Sequence, residues 1–393
     1  MDIFEKCRQF TLAREMQAEG LYPYFLPLED TEGTEVVIEG RKILMIGSNN
    51  YLGLTTDKRV RKAAIDAMER YGTSCTGSRF LNGTLALHQE CEARLANFVG
   101  KDAALVFSTG YQVNLGVISC IVGRGDVVVA DKDDHASIVD GCMLALGEMR
   151  RFSHNDLEHL DRVLGKIDES AGKLVVVDGV YSMGGDLAPL PEIIPVCQKH
   201  GARLMVDDAH SFGVMGGGRG TSAHFGVTDQ VDLIMGTFSK SFASLGGFIA
   251  GDKDTIHYIQ HTARSLMFSA SMPASNVAAV LAALDIMENE PEHCERLWEV
   301  TERMRTGLHE MGFNTGPSVT PIIPIIIGGM EETFLAWKMC FEAGLYTNAV
   351  VSPAVPPDQG LLRTSYMATH TDEQIDRALS IFGEVGRELG IID

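Results

Sequence analysis

The segment Val231-Asp-Leu-Ile-Met-Gly-Thr-Phe-Ser-Lys240 and the residues after it, Ser241-Phe-Ala-Ser-Leu-Gly-Gly-Phe-Ile-Ala-Gly251, place one lysine between two apolar runs. Residues 231–235 and 246–251 each predict a short buried strand. A lysine between buried strands cannot extend to water, so burial should favour its neutral amine, which attacks carbonyl carbons. Lys240 is therefore a candidate Schiff-base lysine. The alternative is a lysine at a strand end in an ion pair with a carboxylate.

Strands and helices alternate around this segment. Strands are predicted at residues 103–107, 126–130, 173–177, 202–206, 231–235 and 248–250, and helices at 111–122, 135–146, 157–167 and 190–200. Such alternation forms βαβ units with a parallel sheet, whose ligands bind at the carboxyl ends of the strands. Polar residues follow five of these strands, at 108–111, 131–135, 178–182, 207–210 and 237–240. We therefore predict an α/β fold with a mostly parallel central sheet and one site at its edge.

Three segments are expected along the chain. Residues 1–46 contain an amphipathic leading helix over residues 3–19 and a β-hairpin with strands at 35–39 and 43–46. Residues 47–288 form the large domain. The composition becomes charged from Glu288 onward, so residues 289–393 are expected to form a smaller α+β C-terminal domain.

Composition limits the class of protein. The 393 residues carry 33 Lys+Arg and 53 Asp+Glu, and the net charge of −20 disfavours nucleic acids and anionic membranes as partners. The eight cysteines are scattered without a CxxC pair, which predicts reduced thiols and argues against a metal site. The N-terminus lacks a signal peptide, and the chain lacks an apolar run of about 18 residues. We expect a cytoplasmic protein with no transmembrane segment.

Two strand ends have residues suited to a phosphorylated heteroaromatic ligand. Gly110 and Tyr111 open a helix directly after a strand, where free N–H groups and the helix dipole bind anions. Asp207 ends another strand, and His210 follows it. A buried carboxylate keeps a nearby ring nitrogen protonated, which makes a pyridine ring a better electron sink. Alternatively, Asp207 and His210 form a structural ion pair or bind a metal, although a third and a fourth ligand are lacking.

Two further residues have open interpretations. His135 begins a helix, where its imidazole either stacks on a ligand ring or caps the turn. Arg363 lies in an apolar predicted strand, and its guanidinium either binds a substrate carboxylate or forms an interdomain salt bridge. No GxGxxG follows a strand and precedes a helix, and no GxxxxGK[ST] occurs, so dinucleotide and P-loop sites have little support.

Longer motifs extend over nearly the whole chain. They are Asn49-Asn-Tyr-Leu-Gly-Leu54, Gly77-Ser-Arg-Phe-Leu-Asn-Gly-Thr84, Phe107-Ser-Thr-Gly-Tyr-Gln-Val-Asn-Leu-Gly116, His135-Ala-Ser-Ile-Val-Asp-Gly-Cys142, Arg151-Phe-Ser-His-Asn155, Gly179-Val-Tyr-Ser-Met-Gly-Gly-Asp-Leu-Ala-Pro-Leu190 and Gly236-Thr-Phe-Ser-Lys-Ser241. In these motifs the chain resembles the α-oxoamine synthases, which have the aspartate-aminotransferase-like fold (fold type I) and use pyridoxal 5′-phosphate (PLP). The resemblance implies that fold, that cofactor, and a homodimer with shared active sites.

The resemblance also implies roles for individual residues. Lys240 would bind the cofactor covalently, Asp207 would pair with the pyridine nitrogen, and His210 would hydrogen-bond the phenolic oxygen. His135 would stack on the ring and, with these three, act in catalysis. Other cofactor contacts would come from Gly110, Tyr111, Thr237 and Ser239 at the phosphate, from Ser182 over the site, and from Ser269 and Ala270 of the other subunit. Asn50 and Arg363 would bind the substrate carboxylate.

The family condenses an amino acid with an acyl-CoA and releases CO2. The resemblance is strongest to bacterial members that use serine, so we expect L-serine and a long-chain acyl-CoA, palmitoyl-CoA, as substrates. The products would be 3-ketodihydrosphingosine, CO2 and CoA, in the first step of sphingolipid biosynthesis. Alternatives are a glycine-using member (2-amino-3-ketobutyrate CoA ligase or 5-aminolevulinate synthase) and a non-catalytic partner subunit, which would be expected to lack the lysine. Two positions depart from the pattern: Val351 replaces an arginine of some serine-using members, and Gly184 replaces an aspartate of several.

Overall fold

The computed structural model describes residues 2–393, which divide into two compact units. The large unit is Asn49–Leu297. The small unit combines the residues up to Ser48 with Trp298–Asp393. The division after Leu297 falls inside a helix.

Helices and strands occupy most of both units. The helices are α1 (Glu5–Arg8), α2 (Leu12–Ala18), α3 (Lys58–Tyr71), α4 (Ala86–Val99), α5 (Gly110–Ile121), α6 (Ala136–Leu144), α7 (Leu157–Leu164), α8 (Leu190–Lys199), α9 (Thr221–His224), α10 (Lys253–Thr262), α11 (Arg264–Met267), α12 (Ala274–Asn289), α13 (Glu292–Glu310), α14 (Met330–Glu342) and α15 (Asp372–Glu388). The strands are β1 (Asp30–Glu32), β2 (Glu35–Ile38), β3 (Arg41–Met45), β4 (Ala103–Phe107), β5 (Val127–Asp131), β6 (Glu148–Phe152), β7 (Lys173–Asp178), β8 (Arg203–Asp207), β9 (Leu233–Thr237), β10 (Gly247–Gly251), β11 (Ile322–Gly328), β12 (Leu345–Tyr346), β13 (Asn348–Val350) and β14 (Gly360–Ser365).

The large unit is built on a seven-stranded sheet in the order β4-β10-β9-β8-β7-β5-β6. The pairs β9–β8, β8–β7, β7–β5 and β5–β6 are parallel, whereas β10 is antiparallel to both β4 and β9. The predicted α/β fold with a mostly parallel sheet is confirmed. Every residue of β5, β9 and β10 is buried, which explains why these strands are continuous apolar runs rather than alternating ones.

Helix starts in the large unit follow strand ends directly. Two residues separate β4 from α5, and the second of them, Thr109, caps the helix: its hydroxyl accepts a hydrogen bond from Gln112 N at 3.1 Å. α6 begins shortly after β5 with His135 at its N-cap. Because these strands run in the same direction, the helix N-termini and the strand carboxyl ends meet at one edge of the sheet. That edge carries the predicted site.

The small unit contains two small sheets. One has the order β1-β2-β3-β12 and the other the order β11-β14-β13. The predicted hairpin is confirmed by β2 and β3, which pair antiparallel with Val36 opposite Ile43. The Thr371 hydroxyl caps α15 by accepting a hydrogen bond from Gln374 N at 3.2 Å.

The prediction of one leading helix over residues 3–19 was wrong. Two short helices, α1 and α2, stand there, separated by residues 9–11. Neither helix has a buried residue or a side-chain cap. Short helices gain most of their stability from burying an apolar face, so the apolar spacing alone did not sustain a continuous helix.

Candidate active site

Residues from all five predicted strand ends line one cavity in the large unit. The cavity has a volume of about 280 Å³. Its lining includes Gly110, Tyr111, His135, Asp178, Asp207, His210, Thr237, Ser239 and Lys240. A larger cavity of about 660 Å³ lies at the opposite ends of the strands, beside Leu174, Arg203 and Leu233, and contains none of the predicted site residues. The predicted site residues that line a cavity therefore all line the smaller one.

The N-terminus of α5 forms the anion-binding end of this cavity. A Cβ atom on Gly110 would lie 2.6 Å from Thr237 Oγ1 and 2.9 Å from Thr237 Cβ, so only glycine fits. The Thr237 and Ser239 hydroxyls are 3.0 Å apart beside it. The N–H groups in the first turn of a helix have no acceptor within the helix, and the dipole favours an anion there. The space, the N–H groups and the hydroxyls suit a phosphate.

Asp207 is a buried carboxylate at the end of β8, and it is 4% exposed. Its Oδ1 accepts a hydrogen bond from Ala209 N at 2.9 Å, and its Oδ2 accepts one from Asn114 Nδ2 at 2.7 Å. These two bonds fix the orientation of the carboxylate. A protonated ring nitrogen in the cavity would find an oriented negative charge here.

His210 also lines the cavity, and its Nδ1 lies 2.7 Å from the Tyr51 hydroxyl. Both side chains are almost fully buried. Tyr51 therefore orients the imidazole from behind. The sequence analysis did not select Tyr51, although it lies in the motif that begins at Asn49 and is the one aromatic residue of that turn.

His135 caps α6 and presents its ring to the cavity. Its Nδ1 lies 2.7 Å from Ser137 Oγ and accepts a hydrogen bond from Ser137 N at 3.2 Å. The capping interpretation therefore holds, and it leaves the ring face open to a ligand. Desolvation by the cavity walls lowers the pKa of His135, Lys240 acts in the same direction, and Asp207 opposes them. A neutral imidazole is favoured at neutral pH.

Two buried carboxylates support this edge, and the sequence analysis missed both as positioning groups. Asp178 Oδ2 accepts a hydrogen bond from His135 N at 3.2 Å, and Asp134 Oδ1 accepts one from Asp178 N at 2.9 Å. Burial and the nearby Asp207 charge raise the pKa of Asp178 well above its usual value. Burial, followed by the Asp178 charge, does the same for Asp134. Both carboxyls tie the β5 and β7 ends to the start of α6.

Lys240 follows β9 and is half-buried at the cavity wall. Ser182, Asn50, Ser269 and Ala270 lie outside the lining of this cavity. Ser269 Oγ accepts a hydrogen bond from Gln112 Nε2 at 2.8 Å, so the Ser269 segment lies against the first turn of α5. Asn50 Nδ2 donates to Thr55 Oγ1 at 2.8 Å.

Arg363 belongs to the small unit. It lies in β14, the middle strand of its sheet, opposite Pro324 of β11 and Asn348 of β13. It is 5% exposed, which is unusual for an arginine. A buried guanidinium of this kind is suited to bidentate contact with a carboxylate.

Two kinds of feature are absent from residues 2–393. No group of three or more His, Cys, Asp or Glu side chains in this part of the chain is arranged to hold a metal ion. Within the same residues, no helix has both the length and the apolar character needed to cross a bilayer.

Comparison with known proteins gives consistent matches. The family model "Aminotransferase class I and II" matches residues 41–382. The serine palmitoyltransferase of Sphingobacterium spiritivorum is 52% identical over 95% of this chain and 94% of its own length. That of Bacteroides thetaiotaomicron is 50% identical over 95% of both chains. Among solved structures, a serine palmitoyltransferase variant from S. paucimobilis with a bound PLP–myriocin aldimine matches with a TM-score of 0.97, 38% identity and full coverage of both chains.

Proposed function

The chain belongs to the α-oxoamine synthases of the class I and II aminotransferase family, and we propose that it joins L-serine to palmitoyl-CoA, with release of CO2 and CoA. The product would be 3-ketodihydrosphingosine, as in the first step of sphingolipid biosynthesis. The observation that carries the proposal is one cavity lined by Lys240, Asp207, His135, His210 and the start of α5. The choice of substrates rests on the similarity to serine palmitoyltransferases.

The cavity fits pyridoxal 5′-phosphate as the cofactor. The N–H groups at the start of α5 and the hydroxyls beside them suit the phosphate, and the buried Asp207 suits the pyridine nitrogen. When bound, PLP supplies a protonated ring that stabilises negative charge at the α-carbon of the amino acid. Thr237 and Ser239 would add hydroxyl groups at the phosphate, and Tyr111 its backbone N–H.

Different side chains around the cavity would hold, donate or accept the protons of the reaction. The Asp207 carboxylate holds the proton on the ring nitrogen, since an opposite charge nearby favours the protonated form. The Lys240 amine would hold the cofactor covalently and would also be placed to accept the α-proton of serine. His210, oriented by Tyr51, donates a hydrogen bond to the phenolic oxygen. His135 would cover the face of the cofactor ring. As a neutral imidazole it would carry a proton on Nε2 that it could donate to the substrate.

We assign binding of the serine carboxylate to Asn50 and Arg363. The support for Arg363 is its burial and the fit of its guanidinium to a carboxylate. The support for Asn50 is its place in the motif that begins at Asn49. Ser182 is proposed to lie over the bound cofactor.

We further propose a homodimer in which Ser269 and Ala270 complete the phosphate site of the partner. Large apolar side chains remain exposed on the large unit, and one of them, Leu245, is also part of the cavity lining. Others are Phe80, Leu81, Met143, Leu144, Leu146 and Phe268. Apolar surface of this kind on an enzyme is typical of a protein–protein interface.

A cytoplasmic location is also proposed. All eight cysteines, which lie within residues 2–393, are free thiols. Free thiols are usual in a reducing compartment.

The experiment that tests this function measures CoA release and CO2 release with purified, PLP-loaded enzyme. Serine, glycine and alanine are each combined with acetyl-, octanoyl-, palmitoyl- and stearoyl-CoA. We expect kcat/KM to be highest with serine and to rise steeply from acetyl- to palmitoyl-CoA, because each buried CH2 contributes about 0.8 kcal/mol before chain ordering is subtracted. Faster turnover of glycine with acetyl-CoA would instead indicate a 2-amino-3-ketobutyrate CoA ligase.

A further inference from the structure

Two buried residues without an assigned role, Asn114 and Ser137, connect Asp207 with His135. We propose that they are positioning residues: Asn114 holds Asp207 Oδ2 in place, and Ser137 keeps His135 in the neutral form with its proton on Nε2. The inference deepens the proposed function and rests on it, since it explains how two of the proposed catalytic groups keep their geometry and proton positions.

The contacts form a continuous chain across three elements. Asn114, on α5, donates from Nδ2 to Asp207 Oδ2 at 2.7 Å and to Ser137 Oγ at 2.8 Å. Ser137 Oγ lies 2.7 Å from His135 Nδ1, and Ser137 N lies 3.2 Å from the same nitrogen. One amide group thus joins the carboxylate proposed for the ring nitrogen to the imidazole proposed for the ring face.

The hydrogen-bonding capacity of each group sets the proton positions. A backbone N–H can only donate, so His135 Nδ1 must be the acceptor of the bond from Ser137 N. The Ser137 hydroxyl accepts from Asn114, and its own proton is therefore available for His135 Nδ1. With Nδ1 accepting both bonds, the single ring proton is on Nε2, which is the nitrogen that remains to contact a ligand.

The amide orientation of Asn114 is determined by the carboxylate. Asn114 is 0% exposed, and among the residues that the structure describes its Oδ1 has no hydrogen-bond partner. Rotating the amide by half a turn would let that oxygen accept from the Ser137 hydroxyl, but it would place the oxygen against Asp207 Oδ2 and remove the bond donated to that carboxylate. A buried polar atom without a partner is costly, so the two donated bonds decide the orientation.

The charged groups around His135 also affect the protonation of its ring. Asp178 contacts its backbone N–H, Asp207 attracts a proton to the ring, and Lys240 repels it. The cavity walls desolvate the ring, and together these effects lower the pKa of His135. The hydrogen bonds to Nδ1 act in the same direction, because protonation at Nδ1 would break them.

The test uses PLP-loaded enzyme with three variants and one control. Asn114→Ala removes both donated bonds, and Asn114→Asp keeps the shape but replaces the donor by an acceptor. Ser137→Ala removes the hydroxyl but leaves the backbone N–H. The control is Ser119→Ala, which lies on the same helix and loses only bonds to the Leu115 and Gly116 carbonyls of that helix. Readouts are nitrogen-15 NMR titration of the histidines, the dissociation constant of PLP, and kcat with KM for serine.

We expect wild-type His135 to show the Nε2–H form at neutral pH. Both Asn114 variants should raise its titration midpoint, weaken PLP binding, and lower kcat roughly 10- to 100-fold with little change in KM, as for a lost hydrogen bond to a charged group. Ser137→Ala should shift the His135 titration but keep PLP affinity, because Asn114 still contacts Asp207. If Asn114→Ala does not fold, Asn114→Asp and Ser137→Ala carry the test.

Two results would overturn the inference. One is a proton on Nδ1 of His135 in the wild-type enzyme. The other is Asn114 variants that match Ser119→Ala in the histidine titration and in PLP affinity. Failure of the proposed function is a separate outcome: an enzyme with the expected NMR pattern and variant responses that does not condense serine with palmitoyl-CoA upholds the inference and rejects the function.

Discussion

Lys240 is half-buried at the end of a strand in which every residue is buried. We expect Lys240→Ala to fold, because its side chain adds little to the core, and to lose turnover by roughly 1,000-fold or more, as when a catalytic nucleophile is removed. Borohydride should attach PLP permanently to the wild-type chain at residue 240 and leave the variant unlabelled, as measured by peptide mass mapping. Lys253→Ala, at the exposed start of α10, serves as the control and should be labelled like the wild type.

Single residues differ in how well a sequence reveals them. Lys240 and Asp207 were predictable because each follows an apolar run, and the chemistry of a lysine or an aspartate at a strand end is restricted. Asn114 was not, because its partner Asp207 is 93 positions away and an asparagine inside a helix has no local signature. Contacts of this kind depend on where α5 lies relative to the end of β8, which no short pattern encodes.

The close packing of α5 against the end of β9 leads to a separate prediction for Gly110. A methyl group on Gly110 would meet Thr237 Oγ1 at 2.6 Å, so Gly110→Ala must push α5 away from the end of β9. We expect a loss of stability of about 1–3 kcal/mol, the usual cost of overpacking. PLP affinity should fall as well, because the helix N–H groups move. Urea unfolding and PLP titration measure the two effects.

The matched control for that change is Gly123→Ala, just beyond the other end of α5. There an added Cβ atom would come no closer than 3.4 Å to Asp126 Oδ2. Stability and PLP affinity of this variant should stay near the wild-type values. Equal losses in both variants would mean that the approach of Gly110 to Thr237 has no special importance.

His154, which follows β6, forms ion pairs with carboxylates near the ends of two other strands. Its Nδ1 lies 3.1 Å from Asp131 Oδ1 at the end of β5, and its Nε2 lies 2.8 Å from Asp186 Oδ2 in the segment after β7. Burial opposes its protonation, but the two carboxylates outweigh burial and raise the pKa of His154 to about 10. An aspartate at position 184 would crowd this contact, since a Cβ atom on Gly184 would already lie 2.5 Å from Asp186 Oδ1.

The raised pKa predicts how stability changes with pH. The folded chain binds this proton more tightly than the unfolded one, so the stabilisation is complete below pH 6.5 and is lost as pH rises toward 10. His154→Gln should lower stability by an amount on the order of a few kcal/mol near pH 6 and by much less near pH 10. Melting temperatures across this range measure the difference.

The sequence predicted the buried inner strands of the seven-stranded sheet well and predicted its edge strand β6 poorly. The strands β5, β7, β8, β9 and β10 were predicted because burial on both faces requires continuous apolar sequence. β6 was missed, since it is an edge strand whose Glu148 and Arg151 are exposed and break the apolar pattern. The edge position itself depends on pairing with β5, which follows from the whole sheet.

At the scale of the whole molecule, the apolar surface of the large unit is the clearest evidence for a partner. Met143, Leu144 and Leu146 are 74%, 61% and 66% exposed, and Met143 and Leu144 end the helix that begins beside His135. Water contact with three large apolar side chains in one short segment is unfavourable in a lone chain. The proposed dimer would bury them if its interface includes this segment, and Ser269 and Ala270 are the residues proposed to reach the neighbouring cavity.

Negative charges introduced at residues 143 and 144 should therefore weaken the proposed dimer. We expect the double variant Met143→Glu with Leu144→Glu to raise the dimer dissociation constant by about 100-fold or more, because four carboxylates would face an apolar interface across the two copies. Sedimentation velocity measures the dissociation. Since each site is proposed to need its partner, specific activity should fall on dilution of the variant and recover at high protein concentration, while that of the wild type stays constant. Val319→Glu, an exposed apolar position of the small unit, controls for added charge and should remain dimeric. A double variant that stays dimeric would move the interface to another surface.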